Sequence, residues 1–189
     1  VDPVAPLVLA EGTGLDPSTV PRQTYAFTLD TTARSAAGVD LAAPVTSSFA
    51  TSRRLVVDAV PVAALTRSMR GDGVVFAEAA VTMLVGDTVA NLQVKTFATF
   101  TLPVLPAGAV IERGTLRATQ GSVVAAPYAG GPMRTLHTAA SVIDATAFTA
   151  TPLAVLGDLS TDATLGVKSR DVTAAVRDDL TNRVARGGR

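Results

Sequence analysis

Phe97-Ala-Thr-Phe100-Thr-Leu102-Pro103-Val-Leu105-Pro106-Ala-Gly108-Ala-Val-Ile111-Glu-Arg-Gly114-Thr-Leu116-Arg117 is the stretch whose reading decides the fold class. An apolar run of strand-forming residues comes first, followed by a corner marked by two prolines and a glycine. A second run then alternates apolar and polar residues. Proline cannot donate to a ladder and glycine turns the chain freely, so two strands joined by a sharp corner are predicted here.

Working outward, the same alternation predicts strands over 6–9, 24–30, 47–51, 54–62, 74–77, 80–85, 89–94, 96–102, 110–119 and 134–139. Between them lie turn signals: Gly12-Thr-Gly14, Ala37-Gly38, Gly71-Asp-Gly73, Gly86-Asp87 and Gly130-Gly131-Pro132. Many short strands with such punctuation argue for a sandwich or jelly roll over a βα alternation. One helix is predicted, starting with Asp171 as its cap and running to about Asn182. Val172, Val176 and Leu180 form its apolar stripe, while Asp178 and Asp179 are expected to face away with Arg177 and Arg183. The fold class expected is therefore all-β, with one C-terminal α-helix.

Composition narrows the function classes. The chain has 189 residues, 48% of them hydrophobic and 17% charged, which suits a packed core and not a disordered tail. Formal net charge is zero and the 16 basic residues are dispersed, so no basic stripe for nucleic acid is expected. Arg34, Arg53 and Arg54, with Arg183, Arg186 and Arg189, read as solvated loop and helix-end charges. There is no cysteine, which removes disulfides, thiolate metal sites and cysteine nucleophiles together. No apolar run is long enough for a membrane span. The start at Val1 suggests either a removed secretion signal or an excerpt of a longer protein. The scarcity of lysine beside arginine suggests a bacterial source. The stop after Gly187-Gly188-Arg189 leaves a final strand to be supplied either by the rest of a longer chain or by a neighbour.

A composition shift near Ser52-Arg53-Arg54 divides the sequence into two units, 1–52 and 55–189. In the first, Leu15-Asp-Pro17, Thr24-Tyr25-Ala-Phe27-Thr-Leu29, Ala37-Gly38-Val-Asp-Leu41 and Ser48-Phe49-Ala-Thr51 resemble the closing strands of bacterial Ig-like domains. In the second, Phe97, Phe100, Leu102, Leu105-Pro106-Ala-Gly108-Ala, Ile111 and Gly114-Thr-Leu116-Arg117 resemble the DNRLRE-type jelly roll, a relative of some carbohydrate-binding modules. Asp171-Val172-Thr173-Ala-Ala-Val176 matches that family's helix start. The family's tryptophan near the helix has no counterpart. The resemblances imply an Ig-like β-sandwich portion followed by a jelly-roll β-sandwich lacking its last strand.

Chemistry-bearing residues are few. His137 is the sole histidine and sits in an alternating run with Thr135 and Ala139. No Gly-x-Ser-x-Gly elbow presents a serine. A zinc site of ordinary type would need more nitrogen or sulfur ligands than the chain has. Glu78 and Glu112 supply carboxylates but lack a surrounding wall of aromatic residues for a sugar. Calcium is the inorganic candidate, with Asp72, Asp87, Asp158 and Asp162, beside Glu78, as hard oxygen ligands in loops. Tyr128, in Pro127-Tyr128-Ala-Gly-Gly-Pro132, is the candidate glycan contact.

The function expected is a non-catalytic extracellular structural module of a bacterial cell-surface or filament-forming protein, assembling through β-sheet edges. Its partners would be other copies or neighbouring surface proteins, with no nucleic acid and no membrane span. Val4, Leu7, Val8 and Leu9 are the candidate donor strand for a neighbour's open edge. The alternative is a module binding extracellular polysaccharide.

Overall fold

The computed structural model describes residues 7–78, 82–140 and 142–187. The chain clusters into two compact units. The first ends at Asp58 and takes in Leu105–Gly108; the second begins at Ala59. Both are built mostly of short strands in small sheets, as an all-β chain should be.

The first unit holds β1 (Ala10–Thr13), β2 (Thr24–Leu29), β3 (Val45–Ala50) and β4 (Arg53–Val56). β1 and β4 pair in parallel from Ala10↔Arg53 to Thr13↔Val56. β2 and β3 form an antiparallel hairpin from Thr24↔Ala50 to Leu29↔Val45, extended by Thr51 N–H donating to Gln23 O. Period-two alternation puts Tyr25, Phe27, Leu29, Val45 and Phe49 on one face, and threonine, serine and alanine on the other. The residues between these strands are folded back by an Arg34–Asp40 bridge and a turn with Gly38 at φ +80°. Val20 is the one buried large apolar side chain among the described residues of this unit.

The second unit carries β5 (Arg67–Arg70), β6 (Val75–Glu78), β7 (Gly86–Asp87), β8 (Gln93–Phe97), β9 (Thr115–Gln120), β10 (Met133–His137), α1 (Ala145–Thr149), β11 (Ala154–Ser160), β12 (Gly166–Asp171) and α2 (Thr173–Thr181). Four strands make an antiparallel sheet in the order β6-β5-β8-β7; β10–β11 and β9–β12 are antiparallel pairs. Gly71-Asp-Gly73 makes the β5–β6 turn, with Gly73 at φ +86° and Arg70 N–H donating to Val74 O. A core of Met69, Ile143 and Phe148, joined by Val75, Phe97 and Ala140, lies against this sheet. Lys95 closes its rim: the ammonium donates to Phe148 O at 2.7 Å and sits 4.3 Å from the Phe148 ring centroid.

Several local expectations change. The first strand lies at Ala10–Thr13 instead of 6–9, and the 54–62 run ends at Val56. The opening stretch is not two long strands. β8 stops at Phe97, Phe100 adds a single bridge to Pro61, and β9 starts only at Thr115. Two carbonyls in between are held from α2 and the turn that follows it: Arg177 donates to Ile111 O at 3.0 Å and Arg183 to Pro103 O at 2.6 Å. These two arginines therefore face the protein, contrary to the amphipathic reading. A second helix, the one-turn α1, is capped by Asp144, whose carboxylate accepts from Thr146 N–H and Ala147 N–H. The sequence predicts no strand at β5, β11 or β12, and Gly86-Asp87, expected as a turn, forms β7.

Candidate functional site

The β2–β3 hairpin is the most exposed regular structure of the first unit. Its strands read Thr-Tyr-Ala-Phe-Thr-Leu and Val-Thr-Ser-Ser-Phe-Ala, with no charge, proline or glycine in either. Phe27 is 54% exposed and Val45 51%, so the apolar face is uncovered. Tyr25 and Phe49, directly paired across the strands, stack at 5.7 Å between ring centroids. Thr28 and Thr46 join hydroxyls at 2.8 Å on the opposite face. Among the described residues, neither outer edge is in a ladder. At the Leu29 end a shallow cavity of about 390 Å³ opens beside Val39 and Leu41, rimmed by the Arg34–Asp40 ion pair. Such a hairpin has a sheet's alternation without a second layer to cover it.

The candidate donor strand begins beside this hairpin. Val4 lies outside the described residues. Leu7, Val8 and Leu9 are exposed and belong to no strand. Val8 is nonetheless tied to its own unit: its N–H donates to the Tyr25 hydroxyl at 2.9 Å, and its carbonyl accepts from Thr51 Oγ1 at 3.3 Å.

Tyr128 is half-buried. Its hydroxyl donates to Gln120 Oε1 at 2.5 Å and lies 2.7 Å from Ser160 Oγ. Gln120 Nε2 in turn donates to the carbonyls of Asp162 and Thr164, which fixes the amide with Oε1 toward the phenol. The ring thus fastens its loop to β9 and the end of β11.

The four aspartates are not brought together. Asp72 receives the Arg70 guanidinium on both carboxylate oxygens, which holds its carboxyl below the ordinary range. Asp162 accepts from Lys168 Nζ at 2.9 Å and from Thr164 N–H at 2.8 Å. The lysine contact, with the threonine bonds behind it, brings its pKa down to about 2. Asp158 sits 3.9 Å from Arg134 across β10–β11, and Asp87 lies in exposed β7. Calcium needs six to eight oxygens converging on one point, whereas these carboxylates answer separate cations or stand apart. The Glu78 side chain lies outside what is described.

Sequence reading missed a different cluster. His137 is buried at the end of β10, and its Nε2 lies 2.9 Å from Asp179 Oδ1 of α2. Its Nδ1 is 3.9 Å from Asp178 Oδ2, and Arg186 pairs with both carboxylates, at 2.8 Å to Asp178. Among the described residues this is the one group of three with metal-ligand types close together. It is poorly arranged for an ion. The carboxylates approach opposite nitrogens of one ring, and a guanidinium already lies against both. The cluster's role is to pin α2 to β10. No local motif announces it, because His137 and Asp179 are 42 residues apart.

A second long-range contact joins the two motifs that carry the jelly-roll resemblance. Gly114 N–H donates to Thr173 Oγ1 at 2.9 Å, and Val172 N–H donates to Gly114 O at 3.0 Å. A Cβ at 114 would press on Val176 Cγ2 at 3.1 Å, so the close approach favours glycine. Asp171 is one residue too early for the helix cap proper; its carboxylate accepts from Thr173 N–H and Oγ1. No helix of the described residues is long and apolar enough to cross a membrane. Comparison with protein-family models, curated proteins and solved structures found no match to this chain.

Proposed function

We propose that the chain is a non-catalytic structural module of an extracellular bacterial surface or filament assembly, joined to its neighbours through β-sheet edges. The single observation behind this reading is the β2–β3 hairpin: two uncharged strands, two edges outside any ladder among the described residues, and an exposed apolar face. Proteins that stay apart normally blunt such edges with charge, proline or a bulge. Here none of those devices falls within the twelve strand positions. The polysaccharide alternative has less support, because the Tyr128 hydroxyl is engaged internally and the ring stacking among the described residues is that of Tyr25 on Phe49, not of Tyr128.

The test is sedimentation velocity with negative-stain electron microscopy over a concentration series, on the full chain and on Phe27→Lys. Association that grows with concentration and falls in the variant supports the reading. A chain that stays monomeric at every concentration overturns it, and a glycan titration would then take precedence.

A further inference from the structure

The edge of β2 carries more information than its lack of charge within the strand. Antiparallel pairing gives β3 the inward backbone groups of every second residue. Thr51 N–H bonds Gln23 O, so Gln23, Tyr25, Phe27 and Leu29 turn their N–H and C=O groups to β3. Thr24, Ala26 and Thr28 therefore present theirs outward. Immediately beyond the strand lie Arg22 at one end and Asp30 at the other, both exposed. Asp30 is held charged, its pKa lowered by the Thr32 hydroxyl and backbone N–H.

We infer that β2 pairs antiparallel with β2 of a second copy, about a two-fold axis at Ala26. This deepens the assembly reading and rests on it. The register follows from two independent constraints, the parity of the strand and its flanking charges. Outward-facing residues must meet outward-facing residues, which limits the pairing to even with even. Apolar residues must stay on one face, which the same parity satisfies. Charge then selects among the remaining registers: only with Ala26 opposite Ala26 does Arg22 stand directly opposite Asp30 of the second copy, at both ends of the pairing. The same register sets Tyr25 across from Phe27 of the second copy, twice, in the close non-hydrogen-bonded positions where aromatic pairs contribute most. A parallel arrangement in register would instead stack Arg22 on Arg22 and Asp30 on Asp30. β3 is a poorer edge, since Pro44 precedes it and no acid flanks it.

Pairing of this kind is isologous and closes at two, giving a four-stranded sheet in the order β3-β2-β2-β3 with one continuous apolar face. The contact is small beside a standard interface, so a weak, concentration-dependent dimer is expected, and a longer assembly would need a further contact.

The chain has no cysteine, which makes the test clean. Sedimentation would be measured on the full chain, on Arg22→Glu, on Asp30→Lys and on the Arg22→Glu/Asp30→Lys double variant. Ala26→Cys would be oxidised alongside Ala50→Cys, a control on the other strand. The expected result is at least tenfold weaker association in each charge variant, recovery in the double variant, and disulfide dimers at position 26 but not 50. Association that persists unchanged in Arg22→Glu, with no preference for position 26, overturns this register and leaves the assembly reading standing. A monomer in every variant and at every concentration overturns both.

Discussion

His137 Nε2 lies 2.9 Å from Asp179 Oδ1, so the only histidine of the chain fastens its C-terminal helix to β10. The bond is half of a small network, because Arg186 holds the same carboxylate from the other side. Removing Asp179 leaves the buried imidazole without its acceptor, while Arg186 keeps Asp178 at 2.8 Å. Asp179→Ala should cost about 1–3 kcal/mol, the usual loss when a charged acceptor leaves a buried partner unsatisfied. Asp178→Ala should cost less, since that carboxylate is more exposed and 3.9 Å from the ring. Each unit holds one tyrosine and the chain has no tryptophan. Thermal unfolding followed through Tyr128, in a Tyr25→Phe background, therefore reads the second unit alone. Equal effects of the two substitutions would contradict this arrangement.

The parts of this fold that could be read from the sequence are those set by neighbours in the chain. Gly71-Asp-Gly73 gives its turn because glycine and aspartate solve the backbone problem within three residues. β2 and β3 are near their predicted places because their alternation is undisturbed. The 98–114 segment misleads for the opposite reason. Its apolar residues suggest strands, yet the carbonyls of Ile111 and Pro103 are held by Arg177 and Arg183, 66 and 80 residues later. β5 is hidden by its own composition. Arg-Ser-Met-Arg reads as a polar linker, but Met69 and Ser68 are almost fully buried at the centre of the four-stranded sheet. Ser68 is tolerated there because its hydroxyl meets Thr96 Oγ1 at 2.8 Å and accepts from Leu84 N–H at 2.8 Å. The His137 cluster has no period or motif at all; only the packing of α2 assembles it.

Asp162 makes a prediction in pH. Its folded pKa of about 2 lies below the ordinary 3.8, so its interactions with Lys168 and Thr164 favour the folded state above the unfolded value. That contribution is lost as pH falls from near 3.8 through about 2. Lys168→Met removes the largest cause and leaves the threonine bonds. The Asp162 carboxyl should then titrate between the two values, and acid unfolding of the second unit should begin at higher pH. Carboxyl ¹³C titration measures the first effect directly. An unchanged Asp162 titration in Lys168→Met would refute the assignment of its shift to the lysine.

Gly12 and Val20 test the packing of the first unit. Gly12 sits in β1 opposite Leu55, and a Cβ placed on it would run into Val20 Cγ2. Its backbone does not need positive φ, so steric crowding is the whole reason for glycine there. Val20 is the unit's buried apolar side chain, with little room to retreat. Gly12→Ala should therefore destabilise the first unit by about 1–3 kcal/mol, in the range of overpacked cores. Val20→Ala alone loses packing, but in the double variant the new methyl occupies space that Val20 has left. The double variant should be less destabilised than the two single losses combined. Urea unfolding followed through Tyr25, in a Tyr128→Phe background, measures all three. Strict additivity would mean that the strand shifts to relieve the contact, and that β1 is not fixed by Val20.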